Sequence, residues 1–279
     1  MTHVESGATG SHVVAIHHQT LSWAVQEVCR RLSVEDVHKL KVRSGEHIGT
    51  ILTTAFLGCA PIGIDSEGQL DLVFDLTRSI KTPSSSLGLA HVQFAEFELK
   101  SLPGQGYRAF DAAIDRALER GTDPESKTFT VVVRSANDVL ATEGRAAIDA
   151  AVNQLKRKSE AGHSKNVFLI AHLFDYWIAE IADEPLLAHH LDPLVDVAGA
   201  DTVWVLWAPY CLTMWSARDA RWVNLLFTAL NPDEDDDADE DGLDVLQRAE
   251  AEFLHQAGSD ANSPYIFRMN PAADDGPAQ

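Results

Sequence analysis

The sequence predicts an α/β protein in which a mixed sheet is covered by helices on both faces. Two observations carry this. Short apolar runs rich in Val, Ile, Phe and Trp alternate with blocks whose apolar positions recur at helical spacing. The chain is also 45% hydrophobic over 279 residues, enough to bury a substantial core.

Taken in order, residues 1–18 read as a loose leader. Leu21, Val25, Val28 and Leu32 then share one helical face. A second helix is expected from Ser44, its N-cap candidate, through Ile48, Ile51, Leu52, Ala55 and Phe56 to a stop near Gly58. Three strands follow, over 61–64, 70–76 and 92–100. They are separated by the turn-like 65–68 and by a Ser/Thr-rich loop over 77–89. Tyr107, Phe110, Ala113, Ile114, Ala117 and Leu118 mark a helix ending near Gly121. Beyond it the reading alternates, with strands at 129–133, 167–173 and 203–207 and helices at 143–158, 176–187 and 219–230. Strands separated by helices of this length imply a sheet covered on both faces. A short helix over 243–255 closes the pattern. The chain thus divides into a leader and helix at 1–43, an α/β domain at 44–230, and an acidic, largely disordered tail at 231–279.

Composition excludes several classes. No run approaches the roughly 18–20 apolar residues needed to span a bilayer, and the start has no basic segment like that of a secretory signal. Cys29, Cys59 and Cys211 are odd in number and form no CxxC, so a disulfide framework is not expected and a cytoplasmic location is. The net charge of −20 is concentrated at the end: residues 231–279 hold fourteen acidic and two basic side chains. The remaining body is still mildly acidic, which argues against avid nonspecific binding to duplex on its own. No GxGxxG, GxxxxGK[ST] or GxSxG occurs to support a nucleotide-dependent or serine-hydrolase enzyme.

The informative segment is Glu96-Phe97-Glu98-Leu99-Lys100. Strand alternation sets Glu96, Glu98 and Lys100 on one face and Phe97 and Leu99 on the other. Such a face holds two carboxylates and an ammonium in a row, which suits a site or solvent better than a core. About 27 residues earlier, Asp71 follows the turn at the mouth of a neighbouring strand, and Asp75 lies on the same face as a rival. Glu46 opens the preceding helix.

Together these residues resemble the restriction-endonuclease-like, or PD-(D/E)XK, nuclease superfamily, with Leu70 where its motif has Pro. The resemblance covers about residues 44–135. It implies a restriction-endonuclease-like core in which Asp71 and Glu98 ligate Mg²⁺ or Mn²⁺, hard cations that suit carboxylate oxygens. Lys100 would orient the attacking water, and Glu46 would add an outer ligand or water contact. Gln105 and Tyr107 would touch substrate. The function implied is a metal-dependent DNA endonuclease or nuclease-like subunit of a restriction or phage-defence system. Nucleic acid would be its substrate, and a protein partner or second copy would supply part of the binding. The rival reading is a non-enzymatic assembly protein of similar fold, in which Glu98 and Lys100 form a surface ion pair. The His17-His18 and His189-His190 pairs lack HxxxH spacing and do not suggest zinc. Trp204, Trp207, Trp215 and Trp222 read as core and rim aromatics, and Lys156, Arg157, Lys158 and Lys165 as a solvated helix end.

Overall fold

A computed structural model describes residues 4–6, 12–40, 45–64, 70–80, 89, 92–102, 136–171, 197–207, 211–228 and 242–258, with positions 108, 112–113, 115–116 and 119–121. The architecture is α/β. Among the described residues nine strands form one mixed sheet in the order β1-β2-β9-β8-β7-β6-β5-β4-β3. They are β1 (Val4–Ser6), β2 (His12–His17), β3 (Gly63–Ile64), β4 (Leu72–Asp75), β5 (Phe94–Leu102), β6 (Ser164–Ala171), β7 (Thr202–Trp207), β8 (Cys211–Ser216) and β9 (Arg221–Thr228). Strands β5, β6 and β7 run parallel, as do β2 and β9, and the other neighbours are antiparallel.

Two apolar layers sandwich the sheet. On one face α1 (His18–Arg31), α3 (Glu46–Leu57) and α5 (Gly242–Gln256) bury Leu21, Val25, Ile48, Ile51, Leu246 and Phe253 against Phe97, Phe168 and Trp204. The short α2 (Val34–Lys39) follows α1 and is capped by the Ser33 side chain, which accepts from the Asp36 N–H. On the other face a short helix, Ala136–Val139, continues through a π-turn at Leu140–Gly144 into α4 (Arg145–Lys158). There Ile148, Ala151 and Leu155 pack on Val167, Leu169, Val203 and Val205. The segment holding α4 makes the crossover from β5 to the parallel β6, which a two-residue turn could not span.

Helix α3 lies close to β5 because Gly49 has no side chain there. A Cβ at Gly49 would sit 2.8 Å from Leu99 Cδ2. The helix ends at Gly58, whose φ of 68° is the left-handed conformation glycine adopts without penalty.

Several expectations need correction. Residues 12–17, read as part of a loose leader, form β2 inside the sheet and pair with β9. The helix expected over 219–230 is instead the β8–β9 hairpin. Its apolar residues looked helical because both faces of this strand are covered: Trp222 packs on the α4 side and Val223 on the α1 side. The N-cap of α3 is Gly45, in left-handed conformation, not Ser44. The helix expected over 243–255 forms as α5, and it packs into the core beside α1. The strand expected at 129–133, the helix at 176–187 and the acidic run 231–241 lie outside the described residues. No helix among the described residues is long and apolar enough to cross a membrane.

Candidate functional site

The charged side chains predicted to gather on β5 do gather. In the β4–β5 register Leu72 faces Phe97 and Val73 faces Glu96. One step further along this antiparallel ladder, Asp71 comes opposite Glu98. The step is fixed by a hydrogen bond: the Leu99 N–H donates to Asp71 Oδ2 at 2.6 Å. Phe97 and Leu99 fill the α3 side of the sheet, so the alternation puts Glu96, Glu98 and Lys100 on the α4 side.

Glu98 is only 2% exposed, and its two oxygens differ. Oε1 accepts from Lys100 Nζ at 2.7 Å, while Oε2 is buried with no hydrogen-bond partner. Lys100 is 30% exposed and can therefore move between Glu98 and solvent. Burial, and next the nearby Glu98 charge, push the Asp71 carboxyl up to about 6. The Leu99 N–H and the Lys100 ammonium act in the opposite direction, and Glu46 adds a weaker upward push. Asp71, Glu98 and Lys100 are thus brought together, while Glu46, at the start of α3, reaches Asp71 only as a weak charge effect. Gln105 and Tyr107 lie outside the described residues.

Asp75, the rival to Asp71, has another task. It caps the turn after β4, accepting from the Thr77 N–H at 3.1 Å, the Thr77 hydroxyl at 2.6 Å and Arg78 Nε at 3.1 Å. The Thr77 hydroxyl above all holds its carboxyl below the usual range. It pairs in register with Phe94, at the opposite end of β4 from Asp71.

The structure adds a residue the sequence did not suggest, His163. Glu96, 3% exposed, faces His163, with Nδ1 2.8 Å from Glu96 Oε1. The Phe94 and His163 rings lie 4.6 Å apart. Glu96 Oε2, like Glu98 Oε2, is buried without a partner. Two carboxylates therefore stand two residues apart on one buried face, each half satisfied. A histidine directly before a buried parallel strand was the only available signal. Below them, Asn166 donates to the Glu96 carbonyl at 3.0 Å and accepts from Thr202 at 2.6 Å, tying β5, β6 and β7 together.

Among the described residues no group of three or more His, Cys, Asp or Glu side chains is placed to hold a metal ion. Of the other sequence candidates, Lys156, Arg157 and Lys158 occupy the last turn of α4, where cations favour the helix dipole. His17 ends β2 and His18 begins α1. Trp204 and Trp207 are fully buried, and Trp215 and Trp222 nearly so.

The raised Asp71 gives a pH prediction. The fold prefers its protonated form, so the stability it contributes is complete below the ordinary carboxyl pKa near 3.8 and is lost as pH rises through about 6. Asp71→Asn keeps an oxygen to accept from Leu99 and removes the charge. Relative to wild type in EDTA, this variant should therefore be unchanged at pH 4 and more stable at pH 7.5. The gain should be on the order of 2 kcal/mol, discounted for partial exposure. Urea unfolding at both pH values checks this, and parallel wild-type and variant curves would contradict it.

No family model, no curated protein and no solved structure matches this chain.

Proposed function

We propose that the chain is a metal-dependent phosphodiester hydrolase of the restriction-endonuclease-like type, acting on nucleic acid, with DNA as the first substrate to test. One observation carries the reading: a buried carboxylate oxygen of Glu98 without a hydrogen-bond partner, beside a second, part-buried carboxylate, Asp71. Uncompensated negative charge inside a fold is costly unless a cation or proton offsets it. The element order from α3 through β3, β4 and β5 to the parallel β6 is compatible with that superfamily's core.

The donor set fits a hard divalent cation. Asp71 and Glu98 would hold Mg²⁺ or Mn²⁺ through carboxylate oxygens. Two protein ligands suffice for Mg²⁺ because it commonly keeps several waters and shares substrate phosphate oxygens. Such an ion supplies Lewis acidity toward the phosphoryl group and lowers the pKa of an attacking water. The chain's own part falls to four groups. The Leu99 N–H fixes the Asp71 carboxylate against rotation. Glu98 keeps the Lys100 ammonium at the site in the absence of substrate. Lys100, partly exposed, turns its donors to the phosphate oxygens and stabilises the charge that builds there. Glu46 adds negative potential from the start of α3 and a polar contact for water. The body's mild acidity leaves part of the nucleic-acid binding to a partner protein or a second copy.

A second reading has its own support. The 2.7 Å Lys100–Glu98 contact is also what a structural ion pair in a non-enzymatic assembly protein would look like. Metal binding separates the two. Mn²⁺ at millimolar concentration should raise the wild-type melting temperature, because a ligand of the native state stabilises it by mass action. An Asp71→Asn/Glu98→Gln variant should show no rise. Equal rises in both proteins, or none in either, would remove the metal site and favour the assembly reading.

A further inference from the structure

On the opposite side of the sheet from Glu98 lies a cavity of about 480 Å³ between the end of α1, the end of α3 and β3. Its wall combines exposed apolar side chains with arginines. Ile62 and Ile80, 46% and 72% exposed, are the exposed large hydrophobic residues among the described ones, and both line this cavity. Arg30, Arg31 and Arg78 line it too, against the carboxylates of Glu27 and Asp36. The hollow thus sets three arginines against three carboxylates, Glu27 and Asp36 in its lining and Asp75 behind Arg78.

The arginines are held, yet not used up. Glu27 receives Arg30 through Nε at 3.0 Å and one Nη at 2.8 Å, and Arg31 through Nε at 2.8 Å. Burial alone would push the Glu27 carboxyl up, but the two guanidinium groups outweigh it and hold the carboxyl below its usual range. On the other wall Asp75 takes Arg78 Nε at 3.1 Å. In Arg31 and Arg78 the carboxylate contact thus engages Nε. That leaves the paired Nη groups of two guanidiniums, from different elements and 50% and 59% exposed, with donors to spare. Two such forks suit a phosphate, whose oxygens accept from several directions. The Trp23 ring and the two isoleucines suit an apolar body attached to it.

We infer that this cavity binds a small organic phosphate of nucleotide size, with its phosphate on Arg31 and Arg78 and its apolar body against Trp23, Ile62 and Ile80. The site stands apart from the carboxylates of β4 and β5 and does not depend on the hydrolase reading. A ligand here bridges α1 to the turn after β4.

Calorimetric titration of the full chain in EDTA tests it without engaging the metal reading. The probes are AMP, hexyl phosphate and inorganic phosphate. At least one organic phosphate should bind with a submillimolar Kd, and inorganic phosphate at least about tenfold more weakly, since the body adds its own contacts. Binding of AMP alone identifies a flat aromatic body, and of hexyl phosphate alone an aliphatic one. Arg31→Gln/Arg78→Gln should weaken the organic phosphate by about tenfold or more. Ile80→Glu, at a position too exposed to disturb folding, should do the same by placing a carboxylate at the mouth. The inference is overturned if neither organic phosphate gives saturable heat up to about 10 mM. It is equally overturned if the Ile80→Glu protein binds as wild type does.

Discussion

Glu98→Gln is expected to abolish Mg²⁺-dependent cleavage of nucleic acid while leaving the metal-free protein at least as stable as wild type. The two halves come from one geometry. Glu98 is buried, gives one oxygen to Lys100 and leaves the other without a partner. Gln keeps the shape but loses the charge, and with it the hard anionic donor a divalent ion needs. In the absence of metal the same change relieves repulsion with Asp71, whose carboxyl burial and the Glu98 charge have already raised. Relaxing a functional site commonly stabilises a fold in this way. Lys100→Ala should reduce cleavage by roughly 10²-fold or more, the usual loss for one preorganised charge-stabilising donor. The assembly reading expects the reverse. There the Lys100–Glu98 pair is structural, and Glu98→Gln should destabilise by about 1–3 kcal/mol because the charge-assisted hydrogen bond from Lys100 is lost. Melting temperatures in EDTA belong beside nicking assays on supercoiled, linear and single-stranded substrates with Mg²⁺ or Mn²⁺. A destabilised Glu98→Gln protein, together with wild type that cuts none of these even beside its partners, would end the hydrolase reading.

The parts of this fold that were legible in the sequence are those governed by local period. Alternation in 96–100 placed Glu98 and Lys100 on one face, and the structure agrees. The sequence leaves Asp71 and Asp75 as rivals on one face, and the β4–β5 register separates them, with Asp71 across from Glu98 and Asp75 holding the next turn. Helices α1, α3 and α4 follow apolar stripes that can be read directly. Where both faces of a strand are buried, the period of two disappears, and the apolar residues of β9 read as a helix for that reason. Where a strand's partner is distant in sequence, no local signal exists. Residues 12–17 find their place only beside β9, some two hundred residues later. His163 escaped notice for a related reason. Its role depends on Glu96, 67 positions away, and on the Phe94 ring, and no spacing rule joins the three.

The same limit applies most strongly to His47, and the largest stability effect is expected there. His47 is the second residue of α3 and Glu250 lies midway along α5; both side chains are fully buried. His47 Nε2 stands 2.6 Å from Glu250 Oε1, its ring is 5.6 Å from Phe253, and its Nδ1 has no partner. The neighbouring α5 side chains Val245, Leu246, Ala249 and Phe253 are all core residues, so the pair sits in apolar surroundings. In such surroundings the two changes that break the pair differ in cost. His47→Leu removes one hydrogen-bond partner of a buried carboxylate, and should destabilise by on the order of 3 kcal/mol. Glu250→Gln retains a side chain that can hydrogen-bond the imidazole, and should cost only about 1 kcal/mol. A double His47→Leu/Glu250→Met variant replaces both polar groups by apolar ones of similar size and should recover most of the loss. Urea unfolding midpoints of the four proteins measure all three values. A His47→Leu protein as stable as wild type would mean that α5 is held by its apolar stripe alone. Recovery in the double variant would show instead that the loss in His47→Leu comes from the polar group left behind on α5 and not from lost packing.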